Sequence, residues 1–151
     1  MLKKFRKLFG VEEKQSRVHA PVPRRERTGA VYDHPLVNHS IIGQTMVVTV
    51  VERELNVTSA SDVCYEVQEL YVGHAGIRHL VLDLENIKFV DSAGLNCMVE
   101  LLGTVKTRHG RIGIAAATQH VEVLFKLTRL ELVFTIRRTV LEVVDAIELR
   151  G

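Results

Sequence analysis

The stretch Asp91-Ser-Ala-Gly-Leu95 is where residue types and spacing offer the most chemistry. Ahead of it lies His79-Leu-Val-Leu-Asp-Leu84, a short apolar run of buried-strand type, and then a link over 85–90. After it, apolar residues recur at 95, 98, 101, 102 and 105, the spacing of one helix face. Ser92 therefore falls at or next to a helix N-cap, where its hydroxyl can accept a hydrogen bond from a free amide two or three residues on. The same amides and the positive end of the helix dipole favour an anion. A phosphate on Ser92 is thus compatible with the fold, while it adds roughly −1.5 to −2 charge to the surface. A docking switch needs that combination, because the fold survives and the interface fails. Gly94 removes bulk from the first turn and lets another surface come close. On local chemistry alone both roles for Ser92 stay open, and capping is the commoner use of Asp-Ser before a helix.

Other chemistry finds little support. There is no G-x-S-x-G around Ser92, no G-x-x-x-x-G-K-[ST], and no G-x-G-x-x-G after a strand. The histidines at 19, 34, 39, 74, 79, 109 and 120 form no H-E-x-x-H and pair with no cysteine at metal spacing. The expectation is no enzyme, no resident metal and no cofactor. His109 and His120 read as surface loop residues, and Asp83 as a hydrogen-bonded strand-end carboxylate near the 91–94 loop. Cys64 and Cys97 lie within apolar, helix-like patterns and make no metal motif or disulfide framework. They suit a reducing, cytoplasmic compartment.

The elements that must position the loop follow from periodicity. Leu36–Ile42 and Met46–Val51 read as strands joined by a turn at Gly43-Gln44. Ser59 with Asp62 reads as a cap opening a helix whose apolar face is Val63, Cys64, Val67, Leu70 and Tyr71, and Gly73 and Gly76 close it. The second helix stops near Gly110. Ile112–Ala117 reads as a strand, Val121, Leu124 and Phe125 mark a short helix, and Val133–Ile136 is a last strand. Thr139 with Glu142 caps a final helix with Val140, Val143, Val144 and Ile147 inward. The order β-β-α-β-α-β-α-β-α predicts an α/β fold with a mostly parallel sheet and one antiparallel pairing from the opening hairpin.

Composition sets the outer bounds. With 46% hydrophobic and 25% charged residues in 151, the chain is an ordinary globular domain plus a tail. No apolar run approaches the roughly 20 residues of a membrane span. Zero Trp and 5% aromatics argue against binding single-stranded nucleic acid by base stacking. The charge is divided. Residues 1–30 carry nine Lys and Arg against three Glu, and residues 31–151 carry eleven against fifteen Asp and Glu. The reading is a basic, largely flexible extension over 1–35 and a mildly acidic domain over 36–151. Met1–Gly10 has helical apolar spacing between its basic residues, so peripheral contact with an anionic membrane is one use for it, though two turns bind weakly.

Taken together, the element order, the strand 79–84 and the loop Phe89-Val-Asp-Ser-Ala-Gly-Leu95 resemble the STAS domain, and more narrowly the bacterial anti-sigma factor antagonists. The stretch from Val123 to Ile136 is similar to that family's C-terminal half, and the match covers about residues 36–149. The resemblance implies a STAS-like α/β fold, with a mixed, mostly parallel sheet of four to five strands and about four helices. It implies a non-catalytic binding module that regulates sigma-dependent transcription. In that family the serine equivalent to Ser92 is phosphorylated by a partner that is both serine kinase and anti-sigma factor. The unphosphorylated antagonist binds that partner, the phosphorylated form releases it, and a phosphatase resets the switch. The same resemblance places Asp91, Ala93, Gly94, Leu95, Asn56 and Ser59 in the partner-binding region, and it implies no direct contact with nucleic acid.

Two departures stand beside it. Arg53-Glu-Leu-Asn56 followed by Ser59-Ala60 replaces the family's Gly-x-Leu-Asp and Thr-Ala. Asn56 keeps the shape and hydrogen bonding of aspartate but not its charge, and Arg53 adds a cation at the same end. The basic extension is the second departure. The alternative reading is a STAS scaffold subunit of a signalling or membrane-transport assembly, with Ser92 only a cap. A nucleotide or small-ligand sensor is a weaker third.

Overall fold

The computed structural model describes residues 35–149. The extension over 1–35, with the segment 1–10 that the sequence offers for membrane contact, lies outside the described residues except for Pro35. Strand β1 (Val37–Ile42) turns at Gly43, whose φ of 59° is a left-handed conformation that favours glycine, into β2 (Thr45–Val50). The two pair antiparallel, from Val37 opposite Val50 to Ile42 opposite Thr45. Next come β3 (Glu54–Leu55), α1 (Ala60–Gly73), β4 (His79–Asp83), β5 (Phe89–Val90) and α2 (Ser92–Lys106). The chain ends with β6 (Ile112–Ala115), α3 (Gln119–Leu127), a 3-10 turn (Leu130–Leu132), β7 (Thr135–Arg137) and α4 (Val140–Glu148).

The main sheet has five strands in the order β1-β2-β4-β6-β7, parallel except for the opening hairpin. Side chains alternate across it. Met46, Val48, Leu80, Leu82, Ile112 and Ile114 belong to a large core shared with α1 and α2. Val47, Val81 and Ala115 face the opposite way, onto Val143, Val144 and Ile147 of α4. Both faces are therefore covered, which explains why the central strands read as nearly continuous apolar runs.

The structure departs from the sequence reading in five places. A separate two-stranded parallel sheet joins β3 to β5, in segments expected to be loop. The strand from Ile112 stops at Ala115, because Ala116 turns left-handed at φ 57°. The last strand begins at Thr135 rather than Val133. Arg129, at φ 60°, turns the chain into the 3-10 segment, and Phe134 is buried with its ring 5.9 Å from that of Phe125. Ser59 does not cap α1 with its side chain. His120 is exposed as expected but lies in the first turn of α3, whereas His109 is an exposed turn residue. The expected Thr139 cap is present, with the Glu142 amide donating to its hydroxyl at 3.2 Å. Asp83 is held as expected, accepting from the Thr49 hydroxyl at 3.2 Å and the Glu85 amide at 3.1 Å.

Candidate functional site

Because β2, β4 and β6 are parallel, the loops that follow them gather at one end of the sheet, where sites in such folds form. The loops after β2 and β4 are bound to each other by the small sheet. The Lys88 amide donates to the Arg53 carbonyl at 2.7 Å, and the Asp91 amide to the Leu55 carbonyl at 3.2 Å. This pairing places the start of α2 against the turn 56–59.

Asp91 is the joint. Its backbone is extended and its carboxylate is the N-cap of α2, accepting from the Gly94 amide at 3.0 Å through Oδ1. Its other oxygen, Oδ2, accepts from the Val57 amide at 3.0 Å. One carboxylate thus caps the helix and holds the neighbouring loop. The capping role open to Ser92 on sequence belongs to Asp91, and Ser92 is the first helical residue with its side chain exposed. A one-residue shift in phase decides this, since aspartate and serine cap about equally well. With Asp91 serving Gly94 and its carbonyl serving Leu95, the amides of Ser92 and Ala93 have no partner among the described residues. They form a small anion-favouring end beside the Ser92 hydroxyl.

Gly94 is required by the approach of β3. A Cβ there would sit 2.2 Å from the Leu55 carbonyl oxygen and 2.7 Å from Val90 Cγ1. Asn56 organises the adjacent turn. Its Oδ1 accepts from the Thr58 amide at 2.9 Å and the Ser59 amide at 3.2 Å, and its Nδ2 donates to Glu54 at 2.8 Å. The Ser59 hydroxyl donates back to the Glu54 carbonyl at 2.7 Å and accepts from the Asn56 amide at 3.2 Å. Of the residues singled out from sequence, Ser92 is exposed and Asp91, Ala93 and Asn56 are half-buried. Gly94, Leu95 and Ser59 are buried, so they shape the site from beneath rather than present contacts.

The sequence reading missed an apolar strip beside the loop. Phe89, 43% exposed, stacks on His120 with ring centroids 6.0 Å apart and planes 14° apart. Val123 and Leu127 stand on the His120 side of α3 at helical spacing and are exposed, Leu127 at 76%. The signal available was apolar residues on both faces of a short helix, Val121 and Phe125 inward, Val123 and Leu127 outward. Cys64 and Cys97 are free and buried in the α1–α2 seam, where hydrogen bonding to Cys97, burial and the nearby Glu100 charge push the Cys64 thiol far up.

A model of the STAS domain matches residues 25–143. The chain is a member of the STAS domain family. This STAS domain is also similar in fold to an anti-sigma factor antagonist from Mycobacterium paratuberculosis. That protein is 20% identical, with a TM-score of 0.65 over 74% of this chain and 92% of its own. The anti-sigma factor antagonist SpoIIAA in its unphosphorylated form is 14% identical, with a TM-score of 0.56 over 76% of this chain and 98% of its own. SpoIIAA of Bacillus is also known in its phosphorylated form. A murine solute carrier 26 anion transporter in its inward-facing state contains the same fold. It is 15% identical, with a TM-score of 0.61 over 73% of this STAS domain and 18% of the transporter. At these identities the likenesses establish the fold. No helix among the described residues is long and apolar enough to cross a membrane.

Proposed function

We propose that this STAS domain is an anti-sigma factor antagonist, a non-catalytic cytoplasmic module switched by phosphate on Ser92. Unphosphorylated, it binds an anti-sigma factor that is also a serine kinase, and so frees a sigma factor for transcription. Phosphorylated, it releases that partner until a phosphatase resets it. The observation that carries this reading is the division of labour at the start of α2. Asp91 holds the helix and the neighbouring loop, which leaves the Ser92 hydroxyl exposed and without a structural hydrogen bond. A serine freed from structural duty can be esterified at no cost to the cap. The two open amides beside it partly offset the charge added. Asn56, hydrogen-bonded within its own turn, adds no negative charge nearby.

The docking surface is the exposed strip beside the serine. Phe89, Val123 and Leu127 provide apolar area, with polar His120 stacked on Phe89 and exposed Ser92 three residues along the chain from it, which suits a protein-binding patch. A phosphate arriving at its border brings about two negative charges into a surface that the partner must desolvate.

The test is intact mass of the protein from its own cells, with peptide mapping across 85–106, followed by capture of its partner with Ser92 variants. Phosphate on Ser92 is expected. Ser92→Ala is expected to hold the partner at wild-type strength, and Ser92→Asp to lose at least tenfold in affinity. Equal binding by the two variants, with Ser92 unmodified under several growth conditions, would sink this reading. The fold shared with the solute carrier would then favour a scaffold subunit of a membrane-transport assembly.

A further inference from the structure

We propose that His39 and His74 form a binding site for a divalent transition metal ion of the zinc type, joining edge strand β1 to the C-terminal end of α1. Their rings meet with centroids 5.6 Å apart and planes 66° apart. Two imidazoles on one zinc ion, with Zn–N bonds of about 2.0–2.1 Å and tetrahedral to trigonal angles, have centroids roughly 5.2–5.5 Å apart. The observed centroid spacing is close to that range.

The second observation concerns the proton on His74. Its Nδ1 lies 2.6 Å from the Leu70 carbonyl oxygen. A carbonyl can only accept, so Nδ1 carries the hydrogen, and Nε2 of the neutral ring keeps its lone pair. Metal-ligating imidazoles are oriented by this kind of outer hydrogen bond. His39 projects from β1, where it is exposed.

Both rings open on a groove of about 640 Å³ between β1 and α1, and Glu66 and Glu69 line the same groove. One oxygen of each carboxylate is engaged, Glu69 by the Tyr65 hydroxyl at 2.7 Å and Glu66 by the Leu36 amide at 3.3 Å. Among the described residues no three such side chains already converge. Water or a rotated groove carboxylate completes the shell, as in open sites that exchange their ion. Two imidazoles with an optional carboxylate suit zinc, nickel or copper and disfavour magnesium and calcium. The site lies about 20 Å along α1 from the Asn56–Ser59 turn, at 1.5 Å per residue, so it does not depend on the role proposed for Ser92. A bound ion would pin an edge strand whose six residues, VNHSII, carry no charge or proline to guard them.

The test is calorimetric titration of the full chain with zinc chloride, with magnesium chloride as comparator, alongside thermal unfolding with and without zinc. One zinc ion per chain is expected, with a rise in Tm and no response to magnesium. His39→Ala and His74→Gln should each weaken zinc binding at least tenfold, and His109→Asn, which does not line the groove, should not. Circular dichroism confirms that each variant is folded. Absence of zinc binding, equal binding of magnesium, or zinc binding unchanged in both groove variants would each overturn the proposal, the last by placing the ion on other histidines of the chain.

Discussion

At the scale of the residue, the start of α2 shows how little room the site leaves. Gly94 lies where a methyl group would meet the Leu55 carbonyl at 2.2 Å. That oxygen is fixed by its bond from the Asp91 amide, so it cannot retreat. Gly94→Ala gains up to about 1 kcal/mol in helix propensity and loses about 1–3 kcal/mol to overpacking. The balance should be a net loss, read as a lower urea midpoint with unchanged slope, whereas an equal or higher midpoint would show that β3 can move aside. Asp91→Ala should cost about 1–2 kcal/mol as a lost cap, and Asp91→Asn should be no milder, since one amide oxygen can serve only one of the Gly94 and Val57 amides and leaves the NH2 facing the other. Ser92→Ala should shift stability by no more than about 0.5 kcal/mol, as for an exposed residue without partners. The reverse order for Asp91 and Ser92 would return the cap to the serine. The motif was legible in the sequence because Asp-Ser-x-Gly-Leu combines capping residues with a small residue in the first turn. The role of the Val57 amide was not, because a backbone donor 34 residues away leaves no mark on residue type.

At the scale of the element, the strong periodicities came through and the short or remote features did not. Four helices and five main strands are visible as runs of period near 3.6 or of continuous apolar residues. The sheet of β3 and β5 has two residues per strand, too few to carry any period. The apolar pair Val133 and Phe134 looks like strand but fills the core from a turn, since burial rather than strand geometry selected it. The closing of α1 is another remote feature. Gly73 and Gly76 mark its end, yet its last carbonyls are satisfied by Arg108, beyond the end of α2. The guanidinium donates to the carbonyls of Tyr71 at 2.8 Å, Val72 at 3.1 Å, His74 at 3.0 Å and Ile77 at 3.1 Å. It also lies 4.5 Å from the centre of the Tyr71 ring. Arg108→Ala should cost about 2 kcal/mol, the scale of hydrogen bonds to a charged group. Arg108→Lys should recover less than half, because an ammonium cannot span the four acceptors as a planar fork does. Chemical denaturation of the two variants checks this, and a lysine variant as stable as the wild type would mean that the fork geometry contributes nothing.

At the scale of the whole molecule, hairpin, sheet and last helix meet around one carboxylate and one imidazole. Glu148 of α4 accepts from the Gln44 amide at 3.0 Å and the Thr45 hydroxyl at 2.7 Å, holding the β1–β2 turn onto the end of the chain. His79, buried at the start of β4, accepts from the Arg111 amide through Nδ1 at 3.0 Å, which ties β4 to β6 and requires a neutral ring. Burial lowers the His79 pKa below its ordinary 6.5. Arg78 and Arg111 act in the same direction, and Glu148 opposes them without reversing the shift. Below about pH 6.5 the unfolded chain therefore takes up a proton at this position that the folded chain refuses. The stabilisation due to neutral His79 is complete above that pH and declines as the pH falls through 6.5 toward the lower folded value. The urea midpoint of the wild type should thus fall between pH 7 and pH 5.5. His79→Gln, which keeps an acceptor for the Arg111 amide but cannot titrate, should lose some stability at neutral pH and show a shallower fall on acidification. Parallel curves for the two proteins would assign the acid sensitivity to other groups. The shallower curve would show that the join between the central strands depends on a neutral ring, at a point where the sequence displays only a histidine at the head of an apolar run.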